Sequence, residues 1–155
     1  MEYGQIERTM YVDASPEVVF DVVSSPEHLE EWWPDDVAGL ESPVAGSSGE
    51  LKWGDCDAGG QAVAITVVDA QPPRLFSFRW THQTGETAAV GNSMLVVFEL
   101  TPRGPGTTVR MTETGFREMG WEVAVLEEQY NSHVEGWDRF LPQLVEYAGR
   151  VAARR

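Results

Sequence analysis

The chain has a single cysteine, Cys56, in 155 residues. No intramolecular disulfide can form, so a stapled fold is excluded. Cys56 lies between Asp55 and Asp57, whose charges would raise a thiol pKa and disfavour a nucleophilic role. Basic side chains are also scarce: 11 Lys and Arg stand against 25 Asp and Glu, a net charge of -14. A surface of that sign repels phosphate backbones and anionic lipid, so neither nucleic acid nor membrane is an expected partner. No segment approaches the ~20 consecutive apolar residues of a membrane helix. Met1 to Ile6 lacks the basic patch and apolar run of a secretion signal, and a cytoplasmic protein is expected. There are only three histidines, His28, His82 and His133, and they are widely separated. With no His-Glu-x-x-His run and no cysteine pair, no metal site is expected. Gly46-Ser47-Ser48-Gly49 lacks the lysine of a phosphate loop, and no nucleotide or other cofactor is expected.

What is present suffices for one domain over residues 1–155. Hydrophobic residues make up 42% of the chain, enough to bury a core at this length. Ile6 to Val12 alternates as a strand, with Ile6, Arg8, Met10 and Val12 on one face. Ser15-Pro16-Glu17 has the form of a helix start, with a capping hydroxyl, a proline in the first turn and an acid at the positive end of the dipole. Ser24-Ser25-Pro26-Glu27 repeats that signal, and the second helix stops at Pro34. Strands follow at Leu51–Trp53, Gln61–Asp69, Arg74–His82, Ser93–Thr101 and Thr107–Thr114. The last two are joined as a hairpin through Pro102-Arg103-Gly104-Pro105-Gly106. Leu126, Tyr130, His133, Trp137, Phe140, Leu144, Tyr147 and Val151 then recur at steps of four and three. They form one face of a long closing helix. Glu127, Glu128, Glu135, Asp138, Arg139, Gln143, Glu146 and Arg150 make its solvated side. Pro142 is expected to bend this helix. The order implies an α+β domain: a curved antiparallel sheet of about six strands, two short helices after the first strand, and one long carboxy-terminal helix.

Three polar groups fall on faces that this periodicity turns inward. Arg8 lies on the first strand, Glu113 on the last strand and His133 on the helix stripe. Each would be costly if buried without a partner. Arg8 and Glu113 either pair with each other or anchor a ligand. His133 reads either as a satisfied core histidine or as a pocket donor or general base. Phe76, Phe78, Trp80, Met94, Phe98, Met111, Tyr130 and Trp137 are core residues first, but bulk on a sheet under one helix also describes a largely apolar pocket. Trp33 and Trp53 complete the ligand-binding set, with His133 and Glu113 as the catalytic candidates. Trp32-Trp33, next to Pro34 and Asp35-Asp36, resembles a rim. Adjacent residues on a helix do not face one core, so one of the two tryptophans is expected to be partly exposed.

Ala14-Ser15-Pro16-Glu17-Val18-Val19-Phe20, Ser25-Pro26-Glu27-His28-Leu29-Glu30-Glu31-Trp32-Trp33 and the closing His133-Val134-Glu135-Gly136-Trp137-Asp138-Arg139-Phe140-Leu141 resemble the START-like (SRPBCC) superfamily. The branch they resemble is the AHSA type, named after activators of a heat-shock ATPase. The resemblance implies a helix-grip fold with a cavity between sheet and helix. It also implies neighbouring first and last strands, which would bring Arg8 near Glu113. Relatives bind lipids, hormones or polyketides, some cyclise aromatic polyketides, and the namesake is tied to the stress response. The namesake has a further amino-terminal domain without counterpart in this sequence, which puts a heat-shock ATPase partner in doubt. Three functions therefore stand side by side. The first is binding of a small hydrophobic molecule, lipid-like or aromatic. The second is a polyketide cyclase, aromatase or dehydratase-like enzyme. The third is a co-chaperone-like or self-associating module, a homodimer included.

Overall fold

A computed structural model describes residues 3–54 and 60–154. The reading of Cys56 with Asp55 and Asp57 lies outside these residues. The elements run β1 (Gln5–Val12), α1 (Pro16–Ser24), α2 (Pro26–Trp32), β2 (Asp36–Gly39), β3 (Ser48–Trp53), β4 (Gln61–Gln71), β5 (Leu75–Trp80), β6 (Met94–Arg103), β7 (Gly106–Thr114) and α3 (Val123–Arg154). A 3-10 turn, Arg117–Met119, lies between β7 and α3. Every strand pairing is antiparallel, in the order β1-β7-β6-β5-β4-β3-β2. The α+β helix-grip architecture is thus present, with seven strands rather than about six. The additional strand, β2, has four residues, and only Val37 among them is not exposed. So short and wet an edge carries no apolar alternation, which is why periodicity alone does not reveal it.

The helix starts follow from side-chain chemistry. Ser15 Oγ accepts the Val18 N–H at 3.3 Å, and Pro16 occupies the first turn of α1. Such a cap satisfies one of the amide donors that a helix start leaves unpaired. Ser25 caps α2 through its backbone position alone, without a side-chain bond. Both helices bury their apolar residues against the sheet face that α3 also covers: Val18, Val19, Phe20, Val22 and Val23 of α1, and Leu29 and Trp32 of α2. The sheet contributes the inward sets Phe76, Phe78 and Trp80, Met94, Val96, Phe98 and Leu100, and Val109 and Met111, all buried. Its other face is polar. There Arg110 bonds Glu7 at 2.7 Å and Glu99 at 3.4 Å, tying β1, β7 and β6 together in the open.

α3 is one helix of 32 residues that contains Pro142. Only its second half is sealed into the core, through Trp137, Leu141, Leu144, Tyr147, Ala148 and Val151. In the first half Leu126, Tyr130 and His133 are partly covered, and Val123 and Val125 are exposed. Among the described residues, no helix is long and apolar enough to cross a membrane.

The two adjacent tryptophans correct one expectation. Trp32 and Trp33 are 1% and 5% exposed, so neither forms an exposed rim. Trp33 is not helical: as the residue ending α2 it adopts φ -124°, ψ -91°. That turn releases its side chain from the helix spacing. Its ring stacks on Trp32 at 5.7 Å and 13°, and the Trp32 indole N–H is taken by Val22 O at 2.9 Å.

Candidate functional site

At one end of the helix–sheet interface lies a carboxylate with no access to solvent. Glu113 is 0% exposed. β1 and β7 pair so that Ile6, not Arg8, stands opposite it. Its Oε2 accepts the Trp80 indole N–H at 2.6 Å, and its Oε1 accepts that of Trp137 at 2.8 Å. Oε1 is also 2.8 Å from His133 Nδ1. A carboxylate only accepts, so the shared hydrogen is assigned to Nδ1 and His133 donates. Three donors thus converge on one buried side chain, β5 giving Trp80 and α3 giving Trp137 and His133. Full pairing is what makes a buried charged group tolerable.

His133 is held from the sides as well. Trp80 and Phe116 lie 5.2 Å from it, the latter edge-on at 83°. Phe116 reaches that place because Gly115 turns the chain at φ 111°, where a Cβ would come 2.9 Å from Ser93 O. With Nδ1 engaged, Nε2 is the nitrogen left for other chemistry. The His133 side chain retains 13% exposure.

His133 also borders a partly open cavity of about 570 Å³. Trp33, Trp53, Trp80, Trp137 and Phe140 supply its aromatic walls, and His82, Gln129, Ser132 and Arg139 are among its polar lining. Trp33 is the hub of the aromatic wall, with ring centroids of Trp53, Phe78, Trp80 and Trp137 within 4.9–5.8 Å.

The residues singled out from the sequence divide by depth. Trp33, Trp53, Trp80, His133 and Trp137 line the cavity. Phe76, Phe78, Met94, Phe98 and Met111 are 0–1% exposed and lie in the closed core behind it. Glu113 stands just behind the wall. Tyr130 packs on Phe116 and donates to Gln5 O at 2.7 Å, away from the cavity. Arg8 is elsewhere. Its strand does neighbour β7, but its guanidinium binds Asp138, Nε to Oδ1 at 2.8 Å and Nη2 to Oδ2 at 3.3 Å. The expected approach of Arg8 to Glu113 therefore does not occur, because indoles and an imidazole already occupy both carboxylate oxygens.

Among the bordering residues that were not singled out, three matter most for the site. His82 continues the inward alternation Phe76, Phe78, Trp80 by one more step, a signal the strand pattern carried. Its Nε2 is 3.2 Å from Thr66 Oγ1, and burial pushes its pKa below the ordinary value. Arg139 counts by helix spacing among the solvated residues, yet it reaches the cavity mouth with its guanidinium 5.2 Å from the Phe140 ring centroid. Gly136 contributes room: a Cβ built on it meets nothing within 4 Å.

Comparison with known proteins places this geometry. The family model described as activator of Hsp90 ATPase homolog 1-like protein matches residues 13–149. The chain belongs to that family. A comparison with curated proteins returned no match. Among solved structures, a protein from Mesorhizobium loti is similar with a TM-score of 0.74 at 21% identity, over 94% of this chain and 97% of that one. The Aha1 dimer from Colwellia psychrerythraea is similar at 0.70 and 20%, over 94% and 96%. DynU16, from the dynemicin biosynthetic locus, is similar at 0.66 and 21%, over 93% of this chain and 46% of that one. At these identities the likeness to the AHSA1-like structures is one of fold.

Proposed function

We propose that the chain binds a small hydrophobic molecule with an aromatic body in the cavity beside His133. The observation that carries this reading is a half-open cavity with four tryptophans in its wall, set against a core that is already closed without it. Indoles bordering a concave surface favour flat apolar ligands. The cavity volume also falls in the range of small-molecule sites, roughly 300–1,000 Å³. The same four tryptophans give the test its readout. Titration with N-phenyl-1-naphthylamine, a neutral aromatic probe, is expected to change tryptophan fluorescence saturably. Gly136→Phe, which puts a ring where there is now open space, is expected to abolish that change. Equal binding by both proteins would overturn the reading.

A second reading, an acid–base enzyme acting on an apolar carbonyl compound, is favoured by one observation. His133 Nδ1 is fixed by Glu113 at 2.8 Å on the cavity wall, which is the pairing of a base with its orienting group. His133 Nε2 would then take a proton from the ligand, with Glu113 as the positioning residue. Turnover of a bound ketide-like carbonyl compound that His133→Gln abolishes while probe binding persists would support it.

A further inference from the structure

The cavity lining combines aromatic side chains with polar ones. We propose that its ligand is an aromatic acid, with the ring system against Trp33, Trp53 and Trp80 and the carboxylate held by Arg139 and His82. The proposal rests on the ligand-binding reading above and assigns that ligand a charge.

The first support is an unmet hydrogen bond. His82 is 6% exposed and borders the cavity. Its Nε2 is satisfied by Thr66, but its Nδ1 is buried and has no partner. Native proteins rarely keep such an atom unpaired, and a ligand site is one place where they do. When the Thr66 hydroxyl donates to Nε2, Nδ1 carries the hydrogen and becomes a donor. A carboxylate oxygen is a matching acceptor once the ring turns enough to bring this buried atom to the cavity surface. The preceding residue is unusual too. Thr81 also borders the cavity and sits at φ 73°, a left-handed conformation that β-branched side chains avoid. Strain of this kind gathers at ligand sites, where it sets the direction of a neighbouring side chain.

The second support is charge. The chain has 25 acidic side chains, and Arg8, Arg110 and Arg150 each have a carboxylate partner within 4 Å. Arg139 has no ion pair among the described residues. It lies over the Phe140 ring instead, at the cavity mouth. Of the carboxylates near the lining, Glu113 is sealed away with its oxygens occupied, and Glu86, whose charge reaches His82, stands outside the lining. The described lining itself therefore contains a cation and no carboxylate, inside a strongly negative protein. An anion is the complementary ligand. Two donor groups suit the two oxygens of one carboxylate, and the tryptophans suit an aromatic body.

The test compares 2-naphthoate with 2-naphthamide, which share ring and shape but not charge, by tryptophan fluorescence and calorimetry. Naphthoate is expected to bind about tenfold tighter to the wild type. Arg139→Gln, at an exposed position, should bring the two affinities together. His82→Phe should weaken naphthoate while N-phenyl-1-naphthylamine still binds, which shows that the cavity is intact. Equal affinity of the wild type for acid and amide overturns the acid assignment and leaves the ligand-binding reading standing. Failure of the neutral probe and of both naphthalenes to bind overturns both.

Discussion

At the residue scale the decisive group is Glu113, because it is both fully buried and fully paired. Glu113→Gln keeps its shape but turns one acceptor into an N–H₂ group. That group must face an indole N–H or the His133 N–H, so two donors oppose each other. A broken buried network costs about 2–4 kcal/mol, and urea denaturation should show a loss of this order. A cost near zero would mean that the three bonds do not persist in solution. His82 makes a second prediction, in pH. Its folded-state pKa is lowered, mainly by burial and against an opposing pull from Glu86. The unfolded chain therefore takes up a proton near the ordinary value of 6.5, where the folded protein does not. This contribution is fully present above that pH and is lost as pH falls through the lowered folded value. Denaturation of wild type and His82→Gln from about pH 5 to 8 should show a steeper decline for the wild type on the acid side. Parallel curves would place His82 in water.

At the scale of the element, α3 combines two tasks that conflict. A 32-residue helix gains stability from good helix formers, yet it carries Gly136 and Gly149, neither with anything within 4 Å of an added Cβ. Gly→Ala in a helix interior is worth roughly 0.5–1 kcal/mol. Both substitutions should therefore raise the denaturation midpoint by similar amounts. They should differ in binding: Gly149→Ala leaves the neutral probe unaffected, whereas Gly136→Ala puts a methyl into the cavity and weakens it. Equal effects on binding would mean that Gly136 is not part of the wall. The same helix shows what could be read in advance. Its spacing located Trp137, Phe140, Leu144, Tyr147 and Val151, because burial and a 3.6-residue period are a local pattern. The alternation Phe76, Phe78, Trp80 was legible in the same way. Which of these faces is closed and which borders space was not. Phe76 and Trp80 have the same pattern, and the wall between core and cavity includes Trp33, brought in by the non-helical turn that ends α2 and stacked against Trp137 of α3. Likewise Arg8 and Glu113 both appeared inward on neighbouring strands. Their separation depends on Asp138 and on two indole donors distant in sequence, which no local period encodes.

For the whole molecule, the prevailing force at long range is repulsion. The net charge is -14, and among the described residues few exposed ion pairs work against that repulsion. Arg8–Asp138, Arg110 with Glu7 and Glu99, and Arg150–Glu146 are all at least about a third exposed. Such pairs contribute about 0–1 kcal/mol each. They are local, whereas the excess of acidic groups acts over the whole surface and is relieved when the chain expands. Added salt screens both. The Debye length falls from about 30 Å at 0.01 M to about 3 Å at 1 M, so the diffuse repulsion fades first and the short, hydrogen-bonded contacts persist. The buried Glu113 network is shielded from salt by the protein itself. Raising sodium chloride from about 0.01 to 0.5 M should therefore increase Tm by a few degrees, on the order of 1 kcal/mol for a chain of this length. A falling Tm would instead mean that the surface ion pairs outweigh the diffuse repulsion. Ligand binding should move the other way. If the occupant is an acid drawn to Arg139 at the cavity mouth, the same salt that steadies the fold should weaken naphthoate and leave naphthamide unchanged, since only a charged ligand senses the screened cation.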